Sequence, residues 1–388
     1  MADRELYRRL LLELNPFKED KLDHPWQPVV HVPAINGIAL SGLMDIYLEV
    51  ESRCESQCVL ITGEKGSGRT HLIACLVEQL GEKGLVIYVD TLKEQQKPFL
   101  SILHHLISSL DDHRGAGGTS SLHRFACHVV ATAMARLFEQ EPPWKGRALF
   151  KEVAKSLRRK EDLVFEYIND EGLRDKVLAQ VESYLRKLDG RLDVTFLDVL
   201  LKSLSAYHSV AARAWLSGHR LGPRGKAALG TSAHIDDDNS AFAGIVSLGC
   251  LAATYHPLVI VFDDVNYGEA ILRLRAEVPA AMIVFSCAEN DWQQICNSEM
   301  GQCVQENSFT LQPLDERAVS RLLASRLHAQ APEAQRPWPC WPLPKGVPRE
   351  LAKEGPSCRR VLECGAAIWR ELRASGLRHS TKEHDDWS

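Results

Sequence analysis

The sequence predicts an α/β fold: a parallel sheet flanked by helices, with a large helical insertion and a small C-terminal helical lid. Three observations carry this. Cys58 to Asp90 reads as strand, glycine loop, helix, strand. Two more apolar runs, Leu258–Phe262 and Ala281–Phe285, are rich in β-branched residues and have strand length. Almost everything between Asp90 and Leu258 has helical periodicity. Strand, helix and strand in that order build a parallel sheet, because parallel neighbours need a crossover connection. The expected boundaries are an N-terminal helical and extended segment (1–54), a core in two parts (55–111 and 235–312), a helical insertion (112–234), a helical lid (313–378) and a polar tail (379–388).

In chain order, Leu6, Leu10, Leu11 and Leu14 share one helical face, and Asn15-Pro16 ends it. Pro25-Trp26, Pro28 and Pro33 mark an extended segment, and a second helical pattern covers about 35–50. Val59-Leu60-Ile61 is the first buried strand. Leu72, Ile73, Leu76, Val77 and Leu80 then recur at helical spacing until Gly81 and Gly84 close the unit, and Leu85–Val89 is the next strand. Gly115 to Ser121 and Gly218 to Gly230 read as glycine-rich breaks between helices. Phe309-Thr310-Leu311 is a short last strand, followed by a helix near 315–327. Prolines 332, 337, 339, 342, 344 and 348, with Trp338 and Trp341, form a loop that reads as a packed excursion of the lid or as a partner-docking surface. A helix near 359–372 follows.

Composition excludes several classes. No apolar run approaches the ~20 residues that a membrane helix needs, so no membrane contact is expected. Met1-Ala2-Asp3-Arg4-Glu5 lacks the basic-then-apolar order of a secretory signal. The 11 cysteines lie mostly in apolar stretches, which suits reduced thiols in a cytoplasm better than a disulfide framework. Cys54, Cys58, His71 and Cys75 invite a zinc reading, but their spacing is irregular and two of the four sit in strand or helix segments, so ordinary structural residues are the favoured reading. A net charge of -5 gives the whole molecule no attraction for nucleic acid, so any such contact needs a local patch. Residues 145–160 supply one. Arg147, Lys151, Lys155 and Arg158 fall on one helical face, and Phe150, Val153 and Leu157 on another. That stripe reads as a DNA phosphate contact or as a solvated face.

Gly63-Glu64-Lys65-Gly66-Ser67-Gly68-Arg69-Thr70 lies between an apolar strand and an amphipathic helix. Glycines at this spacing let consecutive backbone N–H groups point into one concavity, and the following helix offers its positive end to the same phosphates. Thr70 is placed to ligate Mg²⁺. Arg69 stands where the motif expects lysine; a guanidinium is planar and forked and still neutralises phosphate, with different reach. Lys65 reads as a second phosphate cation or as a solvated loop lysine. Leu258–Phe262 ends in Asp263-Asp264, where a parallel sheet presents its ligand-facing edge. Asp263 is the candidate Mg²⁺ ligand and Asp264 the candidate base or water-orienting group. After the next strand, Ser286 and Asn290 are candidates for touching the terminal phosphate or its water.

Together these residues resemble the AAA+ class of P-loop ATPases, particularly its origin-recognition, DnaA-like and signalling-ATPase relatives. Gly63–Thr70 matches Walker A, Val259–Asp264 Walker B and Phe285–Asn290 sensor 1. Gly355–Leu362 is similar to the segment in which a sensor 2 arginine, here Arg359 or Arg360, opens a lid helix. The resemblance covers roughly 30–110 and 240–375, and implies a P-loop NTPase sheet that binds ATP and Mg²⁺. Gly63 to Thr70, His71, Arg359 and Arg360 would contact nucleotide, with Arg69, Asp264, Ser286 and Asn290 near the chemistry. A weaker likeness to BREX-type phage-defence ATP-binding proteins rests on Arg213–Gly218, Ile235–Asp238 and the helix over 242–253; read from the residues, Asp236 to Asp238 cap that helix. Two positions depart from the class: Asp264 stands where glutamate is usual, and Glu299–Ser308 carries no arginine for a neighbouring subunit's nucleotide. The expectation is an ATP-binding switch or slow ATPase acting on nucleic acid or a nucleic-acid-bound partner, in defence or mobile-element biology, with a protein partner or homo-oligomer. The alternative is a non-catalytic nucleotide-binding regulatory subunit.

Overall fold

The computed structural model describes residues 15–17, 25–26, 30–32, 35–81, 84–90, 97–112, 120–140, 148–160, 163–164, 168, 171–205, 207–264, 268–305, 307–330 and 338–375. The expected first helix and the polar tail lie outside the described residues. Five strands, β1 (Gln57–Gly63), β2 (Leu85–Val89), β3 (Leu258–Asp263), β4 (Ala281–Cys287) and β5 (Ser308–Leu311), form one sheet in the order β2-β3-β4-β1-β5. All pairings are parallel. Every residue of β2, β3 and β4 is buried, which is why these strands read as continuous apolar runs instead of alternating ones.

Alternation still assigns the faces. Val59, Ile61, Val259, Val261 and Val284 share a core with α1 (Gly37–Arg53) and α2 (Arg69–Leu80). Leu60, Ile87, Ile260, Phe262 and Phe285 point the other way, into a core that continues through the middle of the chain. That middle contains α3 (Pro98–Asp112), α4 (Ser121–Gln140), α5 (Ala148–Arg159), α6 (Glu171–Leu188), α7 (Val194–Lys202), α8 (Ser209–Leu216), α9 (Pro223–Leu229) and α10 (Asp238–Ala252). The helices from the middle of the chain therefore cover one face of the sheet.

Gly218 to Gly230 is a correction: the stretch contains α9. Pro223 sits in its first turn after Gly222, Leu229 is buried, and Gly230 ends it at φ 65 with its N–H on the Lys226 carbonyl. The glycines punctuate a helix here and do not replace it. The residues behind the defence-protein likeness have structural partners. Arg213 pairs with Asp111, the Trp215 indole donates to the Ala233 carbonyl at 2.8 Å, and Asp237 caps α10 by accepting from the Asn239 and Ser240 N–H groups.

After β3 come α11 (Gly268–Glu277), then α12 (Glu289–Ile295) and α13 (Glu299–Gln305) after β4. The lid contains α14 (Glu316–Gln330), α15 (Val347–Ala352) and α16 (Cys358–Ser375) around a separate core. Phe17 and Val32 pack into that core with Val319, Leu323 and Trp369, so part of the segment before α1 is built into the lid. Residues 338–346 form turns, with the Trp338 indole donating to the Leu343 carbonyl and both Trp338 and Trp341 packed on the lid core. Among the described residues, no helix is long and apolar enough to cross a membrane.

Candidate functional site

The C-terminal ends of β1, β4 and β3 lie side by side, with Ser286 in register with Ile61 on one side and Asp263 on the other. Ligands of open parallel sheets sit beyond such an edge. From β1 the chain enters the glycine loop. Gly66 at φ 89 and Gly68 at φ 102 hold it in the left-handed region, which glycine adopts without a Cβ clash. The loop is tight: a Cβ at Gly63 would meet Ser67 Oγ at 2.6 Å, and one at Gly66 would meet Arg359 Cβ at 2.7 Å. Ser67 Oγ is buried without a hydrogen-bond partner among the described residues. Helix α2 opens at Arg69 with neither a side-chain cap nor an acidic residue in its first turn. Its first N–H groups therefore meet no competing anion from their own turn.

Three hydroxyls converge on Asp263. Thr70 Oγ1 donates to Oδ2 at 2.8 Å, the Tyr88 phenol to Oδ2 at 2.6 Å, and Ser286 Oγ to Oδ1 at 2.7 Å. Burial, with the Asp263 carboxylate beside it, holds the Tyr88 phenol well above its ordinary pKa, so it stays protonated and donates. Ser286 is fully buried and its hydroxyl faces Asp263. It therefore orients an acid, whereas Asn290 is exposed on α12.

Arg69 is 8% exposed and turns toward Asp264. Nη1 reaches Oδ1 at 2.5 Å and Nη2 reaches Oδ2 at 3.3 Å, a two-pronged contact that lysine cannot form. Asp264 adopts φ 57, which aspartate tolerates better than most residues, and its N–H donates to the Ser286 carbonyl at 2.8 Å. Its side chain is 60% exposed.

The lid touches the same loop. The Arg359 N–H donates to the Gly66 carbonyl at 3.1 Å and Cys358 Sγ to the Ser67 carbonyl at 3.3 Å. The Arg359 side chain passes over Gly66, while Arg360 is exposed and lies 3.8 Å from Glu363. Glu64 and Lys65 are exposed on the loop. His71 stacks near His31, and burial, with Arg326 and His31 adding to it, pushes its pKa down to about 4. On α5, Lys151 and Lys155 are exposed while Ala154 and Leu157 are fully buried. Arg147 and the Arg158 side chain lie outside the described residues.

Tyr88 was not among the residues expected here. The available signal is its place in β2: it shares the Val86 face, and β2 pairs with β3, the strand that ends at Asp263. The loop fits a nucleotide phosphate group: a Cβ is excluded at Gly63 and Gly66, the buried Ser67 hydroxyl has no partner among the described residues, and the helix start is open. The hydroxyl of Thr70 and the carboxylate of Asp263 are hard oxygen donors of the kind Mg²⁺ takes. In comparisons with known proteins, the family described as the AAA ATPase domain matches residues 39–282, from α1 into β4. No curated protein matches the chain.

Proposed function

The chain belongs to the AAA ATPase domain family, and from that premise we propose that it is a Mg²⁺-dependent ATP-binding switch with slow hydrolysis, acting on nucleic acid or a nucleic-acid-bound partner. The observation that carries the nucleotide reading is the 2.8 Å bond from Thr70 to Asp263, which joins the phosphate loop to the acid strand. Backbone N–H groups of Gly63 to Thr70 and the start of α2 bind the phosphates. Thr70 and Asp263 hold Mg²⁺, with Tyr88 and Ser286 orienting the Asp263 carboxylate. The ion, when bound, neutralises charge on the terminal phosphates. Arg69 leaves Asp264 for phosphate, and the freed Asp264 carboxylate accepts a hydrogen bond from the attacking water. Arg359, already beside Gly66, brings the lid's charge to the outer phosphate.

Calorimetric titration of the full chain with ATP tests this reading. Binding is expected with Mg²⁺ and is expected to be lost in Thr70→Ala and Asp263→Ala; a wild-type chain with no ATP affinity would refute it. The Arg69–Asp264 contact favours a second reading, a nucleotide-binding subunit without turnover, because that pair occupies both groups needed for chemistry. Arg69→Lys separates the two: a gain in turnover reveals an otherwise working engine, and no change supports the structural role.

A further inference from the structure

We propose that His31, His71 and Cys75 bind one divalent transition-metal ion of the zinc class, fastening the segment before α1 to the helix that opens at the phosphate loop. His71 and Cys75 are four residues apart on α2, so their side chains stack on one face. His31 arrives from the preceding segment and places Nδ1 3.0 Å from Cys75 Sγ. The two imidazoles lie nearly parallel, with centroids 6.5 Å apart, and one donor atom from each of the three residues falls within 4.8 Å of the others.

Tetrahedral Zn²⁺ bonds of about 2.0–2.1 Å to nitrogen and 2.3 Å to sulfur put ligand atoms about 3.3–3.7 Å apart. The donors lie within 4.8 Å of one another, so they would have to close by about 1 Å to bind one ion. A solvent molecule would complete a four-coordinate set. Two imidazoles and a thiolate select a borderline-soft ion, while Mg²⁺ and Ca²⁺ take oxygen ligands.

The Cys75 thiol loses its proton to solvent when the metal binds. Cys75 is buried, and its sulfur faces the His31 ring and not open solvent. The Arg326 charge acts on His71 and disfavours a cation there, while Glu78 places a negative charge near Cys75.

The cysteines nearest in sequence are not part of the cluster. Cys54 is exposed beyond α1, and Cys58 faces the core on the opposite side of the sheet from Cys75. Val32, beside His31, is in the lid core, and His71 follows Thr70. A metal at this point therefore links lid, N-terminal segment and phosphate loop.

The test uses the full chain, stripped with chelator and titrated with Co²⁺ and then Zn²⁺, with no nucleotide present, so that its outcome is independent of the ATP reading. One ion per chain is expected, with a thiolate-to-cobalt charge-transfer band and the strong visible bands of tetrahedral cobalt, displaced by Zn²⁺. Cys75→Ser should abolish the charge-transfer band. His31→Ala and His71→Ala should each weaken Zn²⁺ binding more than about 100-fold, beyond the usual loss for an outer-shell partner. Cys54→Ser should bind as wild type does. No tetrahedral cobalt spectrum in wild type, or a band that survives Cys75→Ser, overturns the site. Should Cys75→Ser fail to fold, His31→Ala decides, because His31 is only half-buried: unchanged Zn²⁺ affinity there reduces the cluster to a thiol–imidazole hydrogen bond.

Discussion

At residue scale the site turns on one exchange of partners. Arg69 holds Asp264 through both prongs of its guanidinium, and in the proposed function nucleotide breaks that contact. A lysine would form a single point contact and release the acid more readily. Arg69→Lys is therefore expected to raise steady-state ATP turnover. Asp264→Ala should lower it about 100-fold, the scale of a lost general base or water-orienting group, with ATP affinity in calorimetry held or improved. A fast wild-type enzyme would show that the pair does not restrain chemistry. Gly66 makes a second case. Alanine there would combine φ 89 with a 2.7 Å approach to Arg359 Cβ, so Gly66→Ala should abolish ATP binding and lower thermal stability by about 1–3 kcal/mol. Arg69 was legible in the sequence as a departure from the motif. Its partner was not, because the contact depends on Asp264 turning to φ 57, a conformation no residue pattern announces. Tyr88 escaped notice for a related reason: its role comes from the neighbouring strand, and within its own window it is only the fourth residue of an apolar run.

At element scale, caps and stripes behave differently. Asp237 opens α10 by accepting from two backbone N–H groups and the Ser240 hydroxyl. The hydrogen bond from the Ser240 N–H, above all, holds the Asp237 carboxyl below its ordinary pKa. A lowered folded value means that the unfolded chain binds the proton more tightly. This stabilisation is present above the ordinary carboxylate pKa of about 3.9 and is lost as pH falls through the depressed value. Asp237→Ala should cost about 1 kcal/mol in urea unfolding at neutral pH and less in acid, while Asp237→Asn should keep the cap and lose its pH dependence. The sequence showed this helix start because capping is local chemistry. Helix α5 was half legible. Its apolar side is buried through Ala154 and Leu157, and Lys151 and Lys155 face solvent, but exposure alone does not separate a DNA contact from a solvated face. The salt dependence does. Four phosphate contacts imply a log–log slope of roughly -3 to -4 on duplex DNA, and Lys151→Glu with Lys155→Glu and Arg158→Glu should abolish binding with ATP affinity intact. Wild-type chain that binds no DNA at low salt, or a triple variant that binds as wild type does, would leave α5 as a solvated face.

At the scale of the whole molecule, the sheet was readable and the lid's composition was not. Buried parallel strands advertise themselves as unbroken apolar runs, whereas Phe17 and Val32 join Val319, Leu323 and Trp369 only through tertiary packing. The result is a molecule with a lid core separate from the cores on the two sheet faces. The lid meets the phosphate loop through the Arg359 N–H and the Cys358 thiol. Units with their own core open at their own free energy, and fewer buried contacts to the rest lower it. A ligand held from both sides stabilises the closed arrangement by mass action, about 2.7 kcal/mol at one hundred times its Kd. Hydrogen exchange should therefore slow in α14 and α16 when Mg²⁺ and ATP are added, with little change in β3 and β4, which are already buried along their whole length. Arg359→Ala keeps the backbone bond to Gly66 and removes the charge proposed to reach the outer phosphate, so it should erase most of that slowing while leaving the nucleotide-free exchange pattern as it was. Equal protection of lid and sheet on nucleotide addition would mean that the two open as one unit, and that Arg359 contributes to binding without closing the lid.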